Sequence, residues 1–216
     1  MKNKKLLVII SSLILILGYF FGSSLYKKNQ KMKDNFMSTK YADIFVRDHS
    51  PSLGPDDAKV YLVEFLDPEC ESCRAFHPVV KKVVSEYSKD VKLIIRYTPF
   101  HKNSKLAISI LEAAKKQNKF WETLETLFQS QPSWGDHHNP KPELIWKYLS
   151  NVKGLDVDQV KLDLKDPKIK EIIEQDIQDG QRLKVRQTPT FFVNGKRLKR
   201  LGYPFLKAVI DYELKR

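Results

Sequence analysis

The sequence predicts an α/β protein that carries a helical insertion and follows a single amino-terminal apolar helix. Short apolar runs typical of buried strands occur at Val60–Leu66, Val91–Tyr97 and Thr190–Val193. Helical periodicity over residues 103–182 separates the second run from the third, and residues 6–21 form an almost unbroken apolar stretch. Strands that alternate with helices predict a sheet covered by helices, and the long helical block predicts the insertion.

The composition is that of an ordinary globular protein, because 42% of the 216 residues are hydrophobic and 11% are aromatic. The formal net charge of +12 raises the question of a nucleic-acid partner. However, residues 1–33 hold seven of the 38 Lys and Arg residues and none of the 26 Asp and Glu residues. The rest of the chain shows no basic stripe with interleaved aromatic residues, so we expect no nucleic-acid partner.

The apolar stretch predicts a signal anchor, or transmembrane helix, over residues 1–28. Extended to residue 26, it spans about 30 Å as a helix, which is close to the thickness of a hydrocarbon core. Cleavage at Gly22-Ser23-Ser24 stays open, although the apolar region is long for a signal peptide. Lysines flank both ends, so they do not decide the orientation in the membrane. Residues 29–55 are predicted to form a polar tether.

Local sequence signals indicate where the helices and turns of the folded part begin. A helix is expected to begin near Cys70, directly after the first strand. The dipeptide Asn194-Gly195 between two strand-like runs predicts a tight hairpin. Pro204 lies in the first turn of a predicted final helix. These elements divide the folded part into a core, residues 56–100 and 184–216, and an inserted helical domain, residues 101–183.

The only two cysteines, Cys70 and Cys73, are spaced C-x-x-C at the point where a strand gives way to a helix. The amide groups and partial positive charge of a helix amino terminus stabilise a thiolate at Cys70. Because the thiolate attacks disulfides, Cys70 is the predicted nucleophile. Cys73 lies one turn further into the helix and is predicted to resolve a mixed disulfide. The pair therefore predicts a catalytic redox centre.

Three other interpretations of the cysteine pair remain open: metal binding, a structural disulfide, and a binding module without turnover. A zinc site needs two more ligands, and the five His residues form no second cluster of suitable spacing except His137-His138. A membrane-tethered zinc or copper chaperone that uses Cys70, Cys73 and a His is the main alternative. A structural disulfide across so short a loop would constrain little chain entropy. An anchored binding module without turnover is the third alternative.

Glu64 is a carboxylic acid within the first predicted strand. Period-two alternation places it on the same face as Leu62 and Leu66. Burial without a partner raises the pKa of a carboxyl group, which makes Glu64 the predicted proton acceptor for the Cys73 thiol. The alternative is a solvated Glu at the edge of the sheet.

Several motifs together resemble the DsbA-like branch of the thioredoxin superfamily. They are Val63-Glu64-Phe65, Cys70-x-x-Cys73, Pro78, Phe120-Trp121-Glu122 and the run Thr-Pro-Thr-Phe-Phe-Val-Asn-Gly at residues 188–195. The resemblance covers about residues 56–214. It implies a thioredoxin-like fold with an inserted helical domain and a cis peptide bond at Thr188-Pro189 that packs against the cysteines. It also implies that Thr188 and Pro189 bind substrate beside the active site.

The resemblance further implies a protein thiol-disulfide oxidoreductase that needs no cofactor. Its expected partners are protein thiol and disulfide substrates and a membrane redox partner. Together with the anchor predicted from the apolar stretch, the resemblance implies a single-pass protein of the bacterial cell membrane whose catalytic domain faces the periplasm or the extracytoplasmic side. The sequence leaves open whether the protein oxidises, reduces or isomerises disulfides.

The dipeptide between the cysteines departs from the founding member of the family, because it is Glu71-Ser72 rather than Pro-His. Glu69 and Glu71 flank Cys70, and one such acid at about 5 Å opposes the thiolate by roughly 0.8 kcal/mol in a water-rich setting. These charges predict a centre that is less oxidising than the extreme of the family. Glu71, Ser72 and His77, one turn after Cys73, are the possible tuning residues.

Two further residues are weaker candidates. His101 follows the second strand and is a candidate for the rim of a substrate groove, although an ordinary loop position is the simpler expectation. Trp134 is expected in a Pro-rich loop between helices, with the same two alternatives.

Overall fold

The computed structural model describes residue 12 and residues 14–25, 42–136 and 138–215. The chain divides into two compact units, Met1–Ala42 and Asp43–Arg216. In the first unit, residues 14–25 form helix α1, whose large apolar side chains are exposed. No helix within the described residues is both long and apolar enough to cross a bilayer. The transmembrane helix predicted for residues 1–28 is therefore unconfirmed, and part of that range lies outside the described residues.

The described strands and helices of the second unit follow the predicted order of strand, helix, strand, helical block, hairpin and helix. The elements are α2 (Ala42–Phe45), β1 (Ser52–Leu53), β2 (Val60–Leu66), α3 (Glu71–Glu86), β3 (Val91–Tyr97), α4 (Ser104–Lys116), α5 (Phe120–Trp134), a 3₁₀ turn (Pro142–Leu144), α6 (Ile145–Leu149), α7 (Val157–Asp163), α8 (Pro167–Arg182), β4 (Thr190–Val193), β5 (Lys196–Arg197) and α9 (Tyr203–Leu214).

The strands form a five-stranded mixed sheet in the order β1-β3-β2-β4-β5. The central strand β2 pairs parallel with β3 and antiparallel with β4, while β1 and β5 pair antiparallel at the two edges. The three strands predicted from apolar runs are confirmed with the predicted bounds. Asn194 and Gly195 both adopt positive φ, 45° and 77°, as the predicted tight hairpin requires.

Alternation along the strands gives the sheet two apolar faces. On one face, the ring of Phe191 lies 5.2 Å from that of Phe76 in α3. On the other, the ring of Phe192 lies 5.0 Å from that of Phe45 in α2 and 5.9 Å from that of Phe65 in β2. Phe65 also approaches Gly180 of α8 on that side. Helices therefore cover both faces, as the predicted α/β class requires.

Helices α4 to α8 occupy the chain between β3 and β4, where the insertion was predicted. Helix α4 contacts α5, α7 and α8, and α8 also contacts β3. The buried residues of α4, including Ile108 and Leu111, supply one apolar face at helical spacing. The insertion is thus packed against the sheet and is not attached by loops alone. The domain boundaries at residues 101 and 183 stay predictions.

The tether predicted for residues 29–55 is wrong at its carboxy-terminal end. The folded unit begins at Asp43, not at residue 56. Ser52–Leu53 forms the edge strand β1, which pairs with β3, and Phe45 is buried. A two-residue strand is too short to give a periodic signal, which is why the sequence did not reveal it. Residues 29–41 lie outside the described part of the chain.

A buried charge network joins the segment after α2 to β3 and α8. The Arg96 guanidinium, within β3, lies 2.6 Å from Asp176 Oδ1 and 2.8 Å from Asp179 Oδ2, and all three side chains are inaccessible to solvent. Arg47 donates two hydrogen bonds to Asp179, at 2.9 and 3.0 Å. His49 Nε2 lies 2.7 Å from Asp176 Oδ1. Removing one partner of such a network would leave an uncompensated buried charge.

Candidate active site

The two cysteines lie at the amino terminus of α3, as predicted. Cys70 is the residue immediately before the helix, with extended backbone dihedrals, and Cys73 lies within the first turn. Both are free thiols, and Cys73 is completely buried whereas 8% of Cys70 is exposed. The sulfur of Cys70 is therefore the more accessible of the two.

The environment of Cys70 favours its thiolate. The pKa of Cys70 is lowered to about 5, chiefly by the hydrogen bond from Cys73, with burial acting in the opposite direction. The side chain of Thr188 and the backbone N–H groups of Cys73 and Ser72 also lower this pKa. In its thiol form Cys70 donates a hydrogen bond to the backbone oxygen of Thr188, 3.4 Å from the sulfur. At neutral pH Cys70 is thus ionised and nucleophilic.

The environment of Cys73 instead favours its protonated thiol. Burial, then the hydrogen bond to Cys70, then the charge of Glu64 raise its pKa well above the ordinary value. The backbone N–H of Asp67, 3.5 Å from Cys73 Sγ, acts in the opposite direction. One cysteine is therefore prepared as a thiolate and the other as a thiol.

Glu64 occupies the interior of β2, where only 3% of it is exposed. It pairs in register with Phe191, whose ring faces α3, and its charge acts on Cys73. Burial raises the pKa of Glu64 to about 8. The alternative of a solvated Glu at the sheet edge is wrong, because β2 is the central strand.

Thr188 and Pro189 lie directly before β4. The peptide bond between them is cis, and Thr188 contacts the sulfur of Cys70. The structure therefore brings together Cys70, Cys73, Thr188 and Glu64, four residues that the sequence proposed for one site. Their roles in binding and catalysis stay predictions.

The three possible tuning residues differ in where they lie. Glu71 and Ser72 are exposed in the first turn of α3, and Ser72 acts on Cys70 through its backbone N–H. His77 instead lies 3.0 Å from Glu125 of α5, and its ring is 5.0 Å from that of Phe128. Burial lowers the pKa of His77. The contacts of His77 thus join α3 to α5 rather than reaching the cysteines.

The predicted opposition of Glu69 to the Cys70 thiolate is outweighed by hydrogen bonding. The Glu69 carboxylate is buried and accepts hydrogen bonds from the backbone and side chain of Asn103, at 2.6 and 2.8 Å. The main influences on the pKa of Cys70 are hydrogen bonds and burial. The sequence spacing predicts an exposed charge at Glu69. Its hydrogen-bond partner Asn103 is distant along the chain, so the sequence does not indicate that this charge is buried and bound.

Two weaker candidates also find places. The ring of His101 lies 2.7 Å from Asp67, which begins the redox loop, residues 67–70 between β2 and α3. Trp134 is not a loop residue, because it ends α5, is fully buried and donates a hydrogen bond to the backbone oxygen of Leu127 at 3.0 Å. That geometry makes Trp134 a core residue.

Within the described residues, no side-chain cluster favours a metal site. Among the described residues, no group of three or more His, Cys, Asp and Glu side chains is arranged to hold a metal ion. Of the His pair considered above, His137 lies outside those residues.

A cavity of about 990 Å³ lies between the segment after α2, α4 and α8, and none of the predicted site residues lines it.

The fold and the two unlike cysteines define a thiol-disulfide oxidoreductase of thioredoxin fold. A family model described as thioredoxin matches residues 47–212. The chain therefore belongs to the thioredoxin family, and its relatives and structural neighbours place it with the DsbA-like members.

The relatives include proteins named for disulfide formation. The chain is 31% identical to a "Probable disulfide bond formation protein D" from Bacillus cereus, over the whole of both chains. The crystal structure of oxidised BdbD from Bacillus subtilis is 31% identical, with a TM-score of 0.70, over 78% of this chain and 94% of that one. The chain is also 32% identical, over 68% of its length, to the Na⁺/H⁺ antiporter NhaA of Herminiimonas arsenicoxydans, but spans only 22% of that protein.

Proposed function

We propose that this protein is a membrane-anchored enzyme that introduces disulfides into proteins outside the cytoplasm through Cys70 and Cys73. One observation carries the proposal: the sulfur of Cys70 contacts Thr188, and the pKa of the Cys70 thiol is about 5. The names of the relatives from Bacillus support the direction of disulfide formation.

The reaction begins with the Cys70–Cys73 disulfide. A substrate thiolate attacks Cys70, a mixed disulfide forms, and Cys73 leaves as a thiolate. A second substrate thiolate then attacks the substrate sulfur of the mixed disulfide, and Cys70 leaves as a thiolate. The substrate loses two electrons and gains a disulfide, and the enzyme becomes a dithiol.

The pKa of Cys70 supports this direction of transfer. A thiol of low pKa is a good leaving group, and stabilisation of its thiolate stabilises the reduced enzyme. A stabilised reduced form makes the disulfide form a stronger oxidant. We therefore assign the protein to the oxidising side of its family, although Glu71-Ser72 replaces the dipeptide of the founding member.

Glu64, Thr188 and Pro189 have proposed roles around the cysteines. Glu64 holds a proton at neutral pH because its pKa is about 8, so it supplies a proton when the Cys73 thiolate leaves. Thr188 and Pro189 present backbone beside Cys70, where a substrate segment binds. The role of Thr188 and Pro189 is the one expected from the sequence, whereas Glu64 acts in the oxidising direction as a proton donor and not as the expected proton acceptor.

The amino-terminal segment is proposed to anchor the enzyme in the cell membrane, with the catalytic unit on the extracytoplasmic side. Large apolar side chains of α1 are exposed, including Leu15, Leu17 and Phe20, and burial in lipid would remove them from water. The dithiol enzyme must lose two electrons before the next turnover. A membrane redox partner is proposed to accept them.

The reduction potential of the Cys70–Cys73 pair tests the proposed direction. We expect the full chain in detergent, equilibrated with glutathione buffers, to have a potential above about −180 mV, because the Cys70 thiolate is stabilised. Mass spectrometry after alkylation gives the fractions of dithiol and disulfide. A potential near −270 mV would instead identify a reductant.

Membrane extraction tests the anchor. We expect the full chain to stay in the membrane fraction after an alkaline wash, because α1 belongs to an apolar segment. The variant Leu17→Lys should be released in larger amounts, since a Lys near the centre of a span costs about 3 kcal/mol. A soluble product whose amino terminus lies near Ser24 would show cleavage and contradict the anchor.

A further inference from the structure

Asp67 contacts both cysteines through its own backbone. Its carbonyl oxygen accepts a hydrogen bond from the N–H of Cys70 at 3.0 Å. Its N–H points at the sulfur of Cys73 from 3.5 Å. Asp67 follows β2 directly, so the orientation of these two peptide groups depends on how the chain turns after the strand.

The carboxylate of Asp67 is completely buried and bound to the loop that enters α4. Oδ2 accepts hydrogen bonds from the N–H of Phe100 and from Ser104 Oγ, both at 2.8 Å, and lies 2.7 Å from Nδ1 of His101. Oδ1 accepts a hydrogen bond from the N–H of Glu69 at 2.9 Å. One carboxylate thus ties the redox loop to the start of the helical insertion.

The next two residues are held by the same insertion. Glu69 binds Asn103 through its carboxylate. The backbone oxygen of Pro68 accepts a hydrogen bond from Gln131 Nε2 of α5 at 2.8 Å. Residues 67–69 therefore connect the strand to Cys70 under restraint from both α4 and α5.

We propose that Asp67 is a positioning residue, through whose carboxylate the helical insertion aims the Asp67 N–H at the sulfur of Cys73. The proposal rests on the proposed function and deepens it. The N–H stabilises negative charge on a sulfur that is completely buried, and burial disfavours its thiolate.

Exchange passes through a Cys73 thiolate in both directions. When the enzyme oxidises a substrate, the Cys70–Cys73 bond breaks and Cys73 leaves with the electron pair. When a Cys70 mixed disulfide is resolved, the Cys73 thiolate attacks Cys70, the Cys70–Cys73 bond forms, and the departing thiolate takes a proton from solvent. A hydrogen bond to this thiolate lowers the barrier of either step.

The test separates attack by Cys70 from resolution by Cys73. The reduced full chain in detergent is mixed rapidly with excess glutathione disulfide, quenched with acid and analysed by mass spectrometry. In Asp67→Asn, the amide nitrogen cannot accept the hydrogen bonds that a carboxylate oxygen accepts. We expect resolution of the Cys70–glutathione mixed disulfide to slow about tenfold, while the pH profile of Cys70 alkylation stays as in the wild type.

Glu112→Gln is the matched control, because Glu112 is also a buried carboxylate and accepts a hydrogen bond from the hydroxyl of Tyr97 at 2.7 Å. We expect this control to resolve the mixed disulfide at the wild-type rate. Ser104→Ala removes one donor to Asp67 and should slow resolution about threefold, which provides a second measurement if Asp67→Asn does not fold.

Resolution at the wild-type rate in folded Asp67→Asn, or in Ser104→Ala if Asp67→Asn does not fold, would overturn the proposal. Equal slowing of Cys70 attack and Cys73 resolution would also overturn it, since a general distortion of the site would affect both. A wild-type chain that forms no mixed disulfide refutes the proposed function and this inference together. A wild-type chain that exchanges normally, beside an unimpaired Asp67→Asn, refutes the inference alone.

Discussion

Cys70→Ala is expected to lower the rate of disulfide exchange at least about a thousandfold, because the nucleophile and leaving group is removed. Cys73→Ala should keep the attack by Cys70 and accumulate the mixed disulfide, because the resolving sulfur is absent. The measurement combines oxidation of a dithiol peptide by the disulfide form of the enzyme with mass spectrometry of the covalent adduct that the Cys70 thiolate of Cys73→Ala forms with glutathione disulfide.

Ser72→Ala serves as the control, because Ser72 contributes its backbone N–H, which the substitution retains. We expect this variant to exchange at close to the wild-type rate. Unchanged exchange in Cys70→Ala would rule out the proposed redox centre. Failure of Cys73→Ala to form any adduct would show that Cys70 is not the attacking sulfur.

Glu64→Gln is expected to raise the free energy of unfolding by about 3 kcal/mol at pH 7 and to leave it nearly unchanged at pH 4. The pKa of Glu64 is about 8 in the folded chain, because of burial, against about 4.3 for an ordinary Glu. Between these values the unfolded chain is ionised and the folded chain holds a proton. Wild-type stability is therefore lost as the pH rises through this window, and Gln removes the loss.

Urea unfolding of the dithiol form at several pH values measures this difference. Glu171→Gln, at an exposed position of α8, is the control and should show no such pH dependence. The exchange rate of Glu64→Gln should fall about tenfold at pH 7, since the proton donor is lost. A stability difference that does not vary between pH 4 and pH 8 would contradict the buried, protonated state of Glu64.

The sheet and the cysteine loop could be predicted because their signals are local. The runs that became β2 and β3 are apolar over their whole lengths, and a helix beginning at Cys70 follows from the change of periodicity. The burial of Glu64 followed from its place within such a run. For these elements, a few adjacent residues contain the physical reason for the structure.

The surroundings of the cysteines could not be predicted, because they depend on partners far along the chain. Glu69 lies beside Cys70 in sequence, yet its carboxylate is bound by Asn103. Asp67 was not predicted as a site residue, although an acid between an apolar strand and a C-x-x-C motif is a usable signal. The short strand β1 gave no periodicity, and its place depends on pairing with β3.

The buried charge network sets a practical limit on how the protein can be shortened for expression. A fragment that starts at residue 56 would lack β1 and would take Arg47 away from Asp179, which is buried. It would also remove the backbone oxygen of Ile44, which accepts a hydrogen bond from Arg96. Arg96 and its acids would then face water through the gap. A stable soluble fragment must therefore begin before Asp43, ahead of every residue that serves this network.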